Sequence, residues 1–329
     1  MGLATGHCAG RILVAAIELD VFAALASGPL DSEALRSRLG LDLRGAALFF
    51  DALVALGVLV REEGRYANTA ESDFFLDRGK RTFAGAIFTD PNWGPLGGWD
   101  RLAESLRSGQ ALEGMRDLRD RFTWDYAEAE RRALFLREMT AVSTASARAV
   151  ATDFPWAQYA SLADIGCAQG GVLTEIARAH PHLRGIGFDL PQVEPDFVAY
   201  IEQQGLSDRA RFIAGDFFTG PLPTADVLIM GHILHDWDLP TRKMLIAKAF
   251  AALPPGGALL IFDLMLDETR PDNLLALIAG LNMLMKSPGG GEYPVADCLL
   301  WLREAGFPEV AAQPLHGAHT MAVGRKTAG

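Results

Sequence analysis

Short apolar segments alternate with helix-forming segments throughout the chain after Trp156. The apolar segments are SLADIGC, LRGIGFDL, ARFIAGDFF, ADVLIMG, GALLIFDLML and HTMAVGR. The helical pattern fits residues 171–180, 192–204, 240–252 and 296–305. Alternation of this kind is typical of a parallel sheet with helices on both faces. This half of the chain is therefore predicted to form a doubly wound α/β domain.

The N-terminal part follows a different pattern, in which two helices precede a hairpin. Asp31 or Ser32 can cap a short helix that stops at Gly40, and a second helix is predicted at about 43–56. The next segment, VLVREEGRYANT, alternates around residues 63–64 like a two-stranded wing. Together these elements outline a winged helix-turn-helix module.

A winged module can bind DNA or pair subunits, and charge separates the two functions. The chain has a formal net charge of -11, and the supposed recognition helix, LRGAALFFDALVAL, contains a single Arg and much apolar surface. Nucleic-acid affinity comes largely from Lys and Arg residues that replace counterions. The sequence therefore favours a subunit-pairing domain, and nucleic acid is not expected as a partner.

Cellular location is limited by what the sequence lacks. No apolar run approaches the roughly 18 residues that indicate a membrane span, and the first twenty residues lack a signal-peptide pattern. Cys8, Cys167 and Cys298 are far apart in the sequence, as expected of reduced thiols. We expect a cytoplasmic protein with no membrane partner and no cysteine-based metal site.

The first strand-to-helix turn of the α/β part reads DIGCAQGG, from Asp164 to Gly171. Ligands of open parallel sheets bind beyond the carboxyl ends of the strands. Gly166 and Gly170 allow a sharp turn and a close approach of ligand to backbone. The spacing matches neither the dinucleotide fingerprint nor the P-loop, so it favours a nucleoside that is smaller and less anionic than a pyrophosphate.

The next two strands also end in acidic residues. Asp189, followed by Leu190, stands about 20 residues beyond the glycine turn, where an acidic residue binds ribose hydroxyls. Asp216 can accept a hydrogen bond from an exocyclic amine while Phe217 covers an adenine face. Each carboxylate alone could equally be a turn or helix cap. Three carboxylates around one nucleoside suit a cation, and S-adenosylmethionine, with its sulfonium charge, fits them.

The segments SLADIGCAQGG, FDLPQV, GDFF, HILHDW and SPGGGE, together with the winged module, make the whole chain resemble a known family. This family is the S-adenosylmethionine-dependent small-molecule O-methyltransferases, typified by caffeate, flavonoid and hydroxyindole O-methyltransferases. The similarity is greatest to bacterial members that methylate hydroxylated aromatic acids in natural-product pathways. It implies a winged-helix-like dimerisation domain at 1–90, a helical connector at 91–150 and a Rossmann-like cofactor-binding domain at 151–329, in a homodimer.

The motif GHILHDWD, at 231–238, follows a buried strand and carries the expected base. A phenol that accepts a methyl group must lose its proton, and a neutral imidazole in contact with it can take that proton. The resemblance implies that His235, with Asp236 beside it, is this general base. It also implies that Asp263 and Glu292 hold the imidazole in one tautomer. Asp263 stands where the plant enzymes have Glu, and its shorter arm changes that contact.

Two residues of the same motif depart from the plant pattern. Gly231 replaces a Lys that contacts the cofactor in the plant relatives, and His232 takes an aromatic substrate-lining position. His232 has two open interpretations, contact with the acceptor or a hydrogen-bonded residue at a loop edge. The resemblance implies that a partner subunit helps to close an acceptor pocket. The remaining residues expected to line this pocket are Phe122, Trp124, Met139 and Met283.

Other functions remain open on the same scaffold. His232 and His235 are three residues apart, and with a carboxylate they suffice for a 2-His-carboxylate metal site. A metal-assisted C-methyltransferase, or a cofactor-binding relative with another reaction, is therefore an alternative. The HDW motif favours the metal-free family, and no metal is expected. A winged-helix regulator that senses a nucleoside is a third hypothesis, which the acidic charge disfavours.

Overall fold

The structure is a computed structural model that describes residues 2–80, 82–89, 98–112, 118–267 and 273–327. The chain divides into two units, Met1–Trp99 and Asp100–Gly329. The boundary expected at residue 90 falls outside the described residues. None of the described helices is both long enough and apolar enough to span a membrane.

The first unit contains the predicted helices and hairpin. Its elements are α1 (Gly2–Glu18), α2 (Val21–Ala24), β1 (Leu30–Asp31), α3 (Ser32–Leu39), α4 (Leu43–Ala55), β2 (Leu59–Glu62), β3 (Arg65–Asn68), α5 (Ala70–Phe75) and α6 (Ala86–Thr89). Asp31 caps α3, because its carboxylate accepts a hydrogen bond from the backbone N of Ala34 at 2.8 Å. Gly40 ends this helix with a φ of 64°. The hairpin pairs with β1 in a three-stranded sheet of order β1-β3-β2.

A small core holds the first unit together. Phe22, Phe50, Leu53 and Tyr66 are buried in it, and Phe50 packs against Tyr66 with ring centroids 5.5 Å apart. Burying one such side chain stabilises the folded state by about 1.5–3 kcal/mol. This cluster fixes α4 against the hairpin.

The second unit begins with helices and continues as the predicted alternation of strands and helices. Its elements are α7 (Leu102–Ser108), α8 (Leu118–Ala127), α9 (Ala129–Asp153), β4 (Ser161–Ile165), α10 (Gly171–Ala179), β5 (Arg184–Asp189), α11 (Glu194–Gln203), β6 (Ala210–Ala214), β7 (Val227–Gly231), α12 (Leu239–Ala252), β8 (Ala258–Asp263), α13 (Leu274–Lys286), α14 (Val295–Glu304), β9 (Glu309–Pro314) and β10 (Thr320–Arg325). The helix α13 and the strand β9 were not predicted from the sequence.

The seven strands form one sheet in the order β6-β5-β4-β7-β8-β10-β9. The strands from β4 to β8 are parallel, whereas β10 runs antiparallel to both β8 and β9. The strand order reverses between β4 and β7, and the crevice at such a switch point is where open α/β sheets bind ligands. The predicted doubly wound sheet with an N-terminal helical domain is confirmed. A ligand site is expected at the carboxyl ends of the five parallel strands, β4 to β8.

Candidate active site

The glycine turn between β4 and α10 has the backbone conformation that its sequence requires. Gly166 and Gly170 have φ angles of 73° and 91°, which favour glycine. A Cβ added at Gly166 would lie 2.4 Å from Cδ1 of Ile233, so packing excludes a side chain there as well. Ala168, between the two glycines, also has a positive φ, of 49°. The turn therefore presents a backbone surface at the end of β4.

Asp189 ties this turn to the end of β5. Its Oδ2 accepts a hydrogen bond from the backbone N of Ala168 at 2.9 Å, and its Oδ1 accepts one from the backbone N of Leu190 at 2.7 Å. Each carboxylate oxygen has a second lone pair that can accept from a hydroxyl. Burial raises the pKa of Asp189 to about 6. The carboxylate can thus brace the turn and bind ribose at the same time.

Asp164, near the end of β4, has one carboxylate oxygen without a hydrogen-bond partner among the described residues. It is 3% exposed, and its Oδ2 has no hydrogen-bond partner among the described residues. Burial, reinforced by the charge of Asp189, raises its pKa to about 7. Buried polar atoms are normally paired, so this oxygen fits a ligand that brings a donor or a positive charge. With the backbone turn and Asp189, it suits a cationic nucleoside.

Asp216 serves the turn after β6. Its Oδ1 accepts a hydrogen bond from the backbone N of Phe218 at 2.8 Å, and its Oδ2 accepts one from the Thr219 hydroxyl at 3.3 Å. Asp216 therefore caps this turn. Its side chain is half-buried, and the expected contact with adenine stays a prediction. The neighbouring Phe217 packs edge-on against Trp237, with ring centroids 6.0 Å apart.

His235 lies in a single turn of 3-10 helix, Leu234–Asp236, directly after β7. Its Nδ1 is 2.8 Å from Oε1 of Glu292, whose side chain is fully buried. Its Nε2 is 3.6 Å from Oδ1 of Asp236. The bond to Glu292 fixes the ring and leaves Nε2 as the nitrogen able to exchange a proton with a ligand.

Asp263 ends β8 and is fully buried. Its Oδ2 accepts a hydrogen bond from the Tyr293 hydroxyl, and its Oδ1 has no partner among the described residues. Glu292, by contrast, bonds the His235 imidazole directly. Asp263 therefore acts on His235 through its charge and does not hold the imidazole by the hydrogen bond that the resemblance implied.

The charge state of His235 follows from these carboxylates. Burial lowers its pKa, but the charges of Glu292, Asp263 and Asp236 outweigh burial and raise the pKa to about 10. Burial also raises the pKa of Asp263 to about 7. The imidazole therefore carries a proton at neutral pH when no ligand is bound.

His232 stands beside this group in a left-handed conformation, with a φ of 56°. Its ring lies 5.8 Å from that of His235 and 5.0 Å from that of His319, measured between centroids. Burial, aided by His319, holds the pKa of His232 well below its usual range. Its Nε2 has no hydrogen-bond partner among the described residues. The loop-edge interpretation, which needs a satisfied ring, is therefore less well supported than ligand contact.

His319 is a site residue that the sequence analysis missed. It precedes β10, and the register pairs Thr320 with Asp263 at the end of β8. In the sequence, His319 stands in the segment HGAHT, directly before β10. This segment predicts a site residue only once β10 is known to pair with β8.

The expected acceptor-pocket residues come from three helices. Phe122 on α8 packs against Trp237, with centroids 6.3 Å apart. Trp124, two residues later, is 40% exposed and stacks on the Arg131 guanidinium at 3.4 Å. Residues two apart on a helix are about 200° apart, so Phe122 and Trp124 lie on different faces of α8.

The two expected methionines are on α9 and α13. Met139 is half-buried, and its neighbour Thr140 accepts a hydrogen bond from Gln169 of the glycine turn at 2.9 Å. This bond places Thr140 of α9 beside the cofactor turn, one residue along the helix from Met139. Met283 is buried on α13.

Gly231 ends β7 against the ring of Phe262. A Cβ added there would lie 2.1 Å from Cζ of that ring. This position can therefore offer only its backbone to a cofactor.

We expect Gly231→Ala to lower the free energy of unfolding by about 1–3 kcal/mol, the usual cost of overpacking a buried site. Urea unfolding of the purified protein measures this. Gly220→Ala is the matched control, because its Cβ would lie 3.5 Å from the nearest atom, the Asp216 carbonyl oxygen. Equal stability of the two variants would contradict the packing argument.

Both units of the chain match models of known protein families. Residues 99–308 match the family model of the O-methyltransferase domain, and residues 1–78 match that of the O-methyltransferase dimerisation domain. The tetracenomycin polyketide synthesis 8-O-methyl transferase of Streptomyces glaucescens is 44% identical, over 96% of this chain and 93% of its own length. The N,N-dimethyltransferase OxyT of Streptomyces rimosus is 37% identical, over 93% of this chain and 89% of its own.

A solved structure shows the same architecture. Human N-acetylserotonin methyltransferase in complex with SAM superimposes with a TM-score of 0.86 at 27% identity. The match covers 99% of this chain and 96% of that one.

Proposed function

This chain belongs to the S-adenosylmethionine-dependent O-methyltransferases, and we propose that it methylates a hydroxyl of a small aromatic, polyketide-like acceptor with His235 as general base. The observation that carries the proposal is the His235 imidazole, fixed by Glu292 at the end of β7. The bound S-adenosylmethionine supplies an electrophilic methyl group on a sulfonium. The protein's part is to hold the donor, position the acceptor and remove its proton.

Donor binding is assigned to the ends of β4, β5 and β6. Backbone atoms of the turn from Gly166 to Gly170 approach the donor, and Asp189 accepts from the ribose. Asp164 has the unpaired oxygen that a cationic ligand would satisfy. We assign Asp216 and Phe217 to the adenine, Leu190 to the edge of the nucleoside and the Gly231 backbone to the donor's far side.

Proton removal is assigned to Nε2 of His235. As the acceptor oxygen forms its bond to the methyl carbon, the bond from that carbon to sulfur breaks and S-adenosylhomocysteine leaves as a neutral thioether, while the O–H proton moves to this nitrogen. Asp236, Asp263 and Glu292 stabilise the imidazolium that forms, because each carboxylate favours the charged ring. Such a base contributes about 100- to 10,000-fold to the rate.

This base must lose its proton before it can act. The ligand-free ring is protonated because its pKa is about 10, and a sulfonium nearby disfavours a second positive charge. We therefore expect S-adenosylmethionine binding to release a proton, and its affinity to rise by up to about tenfold per pH unit below pH 10. Calorimetry in buffers of different ionisation enthalpy measures the release.

The neutral product S-adenosylhomocysteine is the control for this effect. It should release far less proton than the donor, because it lacks the sulfonium charge. His235→Gln should release less proton with the donor than the wild type does, and the remainder comes from Asp164, whose pKa is also raised in the ligand-free protein. Equal release with both ligands would contradict the coupling between the sulfonium and His235.

We assign the acceptor pocket to Phe122, Met139, Met283 and His232, of which His232 lies beside His235, with ring centroids 5.8 Å apart, and Phe122 packs against the nearby Trp237. The 44% identical relative is named for 8-O-methyl transfer in polyketide synthesis. An aromatic hydroxyl on a fused-ring or carboxylated acceptor fits this likeness. We leave Trp124 outside this assignment, because it stacks on Arg131 on another face of α8.

A screen of hydroxylated aromatic acids and polycyclic phenols tests the function. Each compound is incubated with enzyme and S-adenosylmethionine, and the product mass is recorded. We expect a gain of one methyl group, and none when the hydroxyl is already a methyl ether. Methyl gain by the blocked ethers would indicate C-methylation and contradict the proposal.

Amine methylation is a second candidate, because the 37% identical relative is named an N,N-dimethyltransferase. Amino analogues of the best acceptors distinguish it, since two added methyl groups on an amine cannot arise on a phenol. The same assay with a chelator present tests the metal-assisted alternative. Unchanged activity removes that alternative.

Subunit pairing is assigned to the first unit, which matches the dimerisation domain. Leu43 and Leu48 on α4 are 75% and 77% exposed in the single chain. Exposed leucines on a helix are unfavourable in water and suit a subunit interface. We propose a homodimer formed through this unit.

A further inference from the structure

Four buried polar atoms around His235 have no hydrogen-bond partner among the described residues. They are Nε2 of His232, Nε2 of His319, Oδ1 of Asp263 and Oε2 of Glu292. Each unpaired buried polar atom costs about 1–3 kcal/mol. Contact with the acceptor would account for Nε2 of His232, but the methyl-transfer reaction assigns no partner to the other three atoms.

Three side chains of this cluster converge as metal ligands would. His232, His235 and Asp263 each offer one ligand atom, and these atoms all lie within 4.8 Å of one another. Zinc bonds of 2.0–2.2 Å in tetrahedral geometry set ligand atoms about 3.3 Å apart. The three atoms are therefore at most about 1.5 Å farther apart than the ligand atoms of a zinc site. Two imidazoles and a carboxylate are donors that divalent zinc and cobalt accept.

Two of these three candidate ligands are held by hydrogen bonds from neighbouring groups, as is usual in metal sites. Glu292 bonds Nδ1 of His235 and leaves Nε2 for a ligand, and the Tyr293 hydroxyl bonds Oδ2 of Asp263 and leaves Oδ1. Partners of this kind orient metal ligands and raise their basicity. His232 is held by its own backbone, whose N donates to the Phe262 carbonyl at 3.0 Å.

The local charge also favours a cation. Asp263 and Glu292 have fully buried side chains, and the unpaired Nε2 atoms of His232 and His319 belong to the same cluster. A divalent ion compensates the two negative charges in one step. It would displace any proton on His235 to solvent, as metal binding does at histidine ligands.

We propose that His232, His235 and Asp263 form a binding site for a divalent transition-metal ion of the zinc and cobalt class, and that this ion inhibits methyl transfer. The ion occupies the lone pair on His235 that the base requires. Metal binding and turnover therefore exclude each other. The binding part of this inference stands without the proposed function, whereas the inhibition rests on His235 as base.

Cobalt(II) is the probe, because its visible absorbance reports bound histidine ligands directly. The exposed His7 and Cys8 lie 3.3 Å apart and can bind cobalt themselves, so every protein in the comparison carries His7→Ala. Titration of this full-length protein, without donor or acceptor, should give saturation at one ion per chain.

Three variants locate the site. His232→Asn removes the imidazole but keeps a residue that tolerates the left-handed backbone, and Glu292→Gln should weaken binding about 10- to 100-fold. We expect the His232→Asn loss to be at least as large. His316→Ala removes an exposed histidine of the β9–β10 hairpin and should leave the titration unchanged. Absence of saturable binding, or binding unaffected by His232→Asn, would overturn the site.

Inhibition is measured separately during turnover. Zinc should lower the initial rate in proportion to occupancy, chelator should restore it, and His232→Asn should need at least 10-fold more zinc for half-inhibition of its own rate. A rate increase with zinc would overturn the inhibitory role. Because cobalt titration uses no donor or acceptor, its failure leaves the methyltransferase assignment untouched, and an inactive enzyme that binds cobalt leaves the metal site standing.

Discussion

Replacing His235 by Gln should lower kcat about 100- to 10,000-fold while S-adenosylmethionine still binds. This loss is expected because a positioned general base contributes about 100- to 10,000-fold to the rate. Gln keeps a polar partner for Glu292, which would otherwise be a buried carboxylate without a bond, so the variant should fold. Single-turnover kinetics with saturating donor, together with calorimetric donor binding, separate the two effects.

His316→Gln is the matched control for this experiment, because it changes an exposed histidine of the same unit. Its kcat should equal that of the wild type. Glu292→Gln tests positioning, because it keeps a bond to the imidazole but removes a charge that raises its pKa. We expect an intermediate kcat and a pH profile shifted to lower pH. If His235→Gln retained more than a tenth of the wild-type kcat, His235 would not be the base.

Asp189→Ala should raise the Kd for S-adenosylmethionine about 10- to 150-fold, with a much smaller effect on kcat at saturating donor. Hydrogen bonds to a charged group contribute about 1.5–3 kcal/mol, and 1.4 kcal/mol corresponds to tenfold. The variant loses the ribose acceptors and also the bonds that brace the glycine turn at Ala168 and Leu190. Equilibrium dialysis with labelled donor measures the Kd.

Asp208→Ala is the control, since it removes the same charge from an exposed position in the same unit. Its Kd should stay within about twofold of the wild type, because a screened surface charge contributes little. Thermal unfolding of both variants shows whether the turn has lost stability. An unchanged Kd in Asp189→Ala would remove this residue from the donor site.

The parallel sheet and its site edge could be predicted because their signals are local. Strands β7 and β8 are continuous apolar runs in sequence, and β5 and β8 end in Asp189 and Asp263, which we assign to the site. The cap of α3 was equally local, since Asp31 precedes the helix it caps. Such features depend on neighbouring residues, and the sequence contains their whole physical cause.

Elements whose environment comes from distant segments could not be predicted in this way. The strand β9 is at the edge of the sheet and mostly exposed, so its sequence, EVAAQP, has no apolar run. Helix α13 is apolar on most faces, which removes the amphipathic period that identifies a surface helix. His319 reaches the site only because β10 pairs with β8, and that pairing joins residues far apart in the chain.

The position of β10 between β8 and β9 affects how the second unit is made. The strand β8 is buried along its whole length, yet one of its edges is covered by β10, which follows β8 by more than 50 residues and is the last of the described strands. During synthesis this edge stays unpaired until residues 320–325 have left the ribosome. An open apolar edge is a template for intermolecular pairing. Chaperone demand and losses to aggregation during expression should therefore depend on how fast the segment from β8 to β10 is translated.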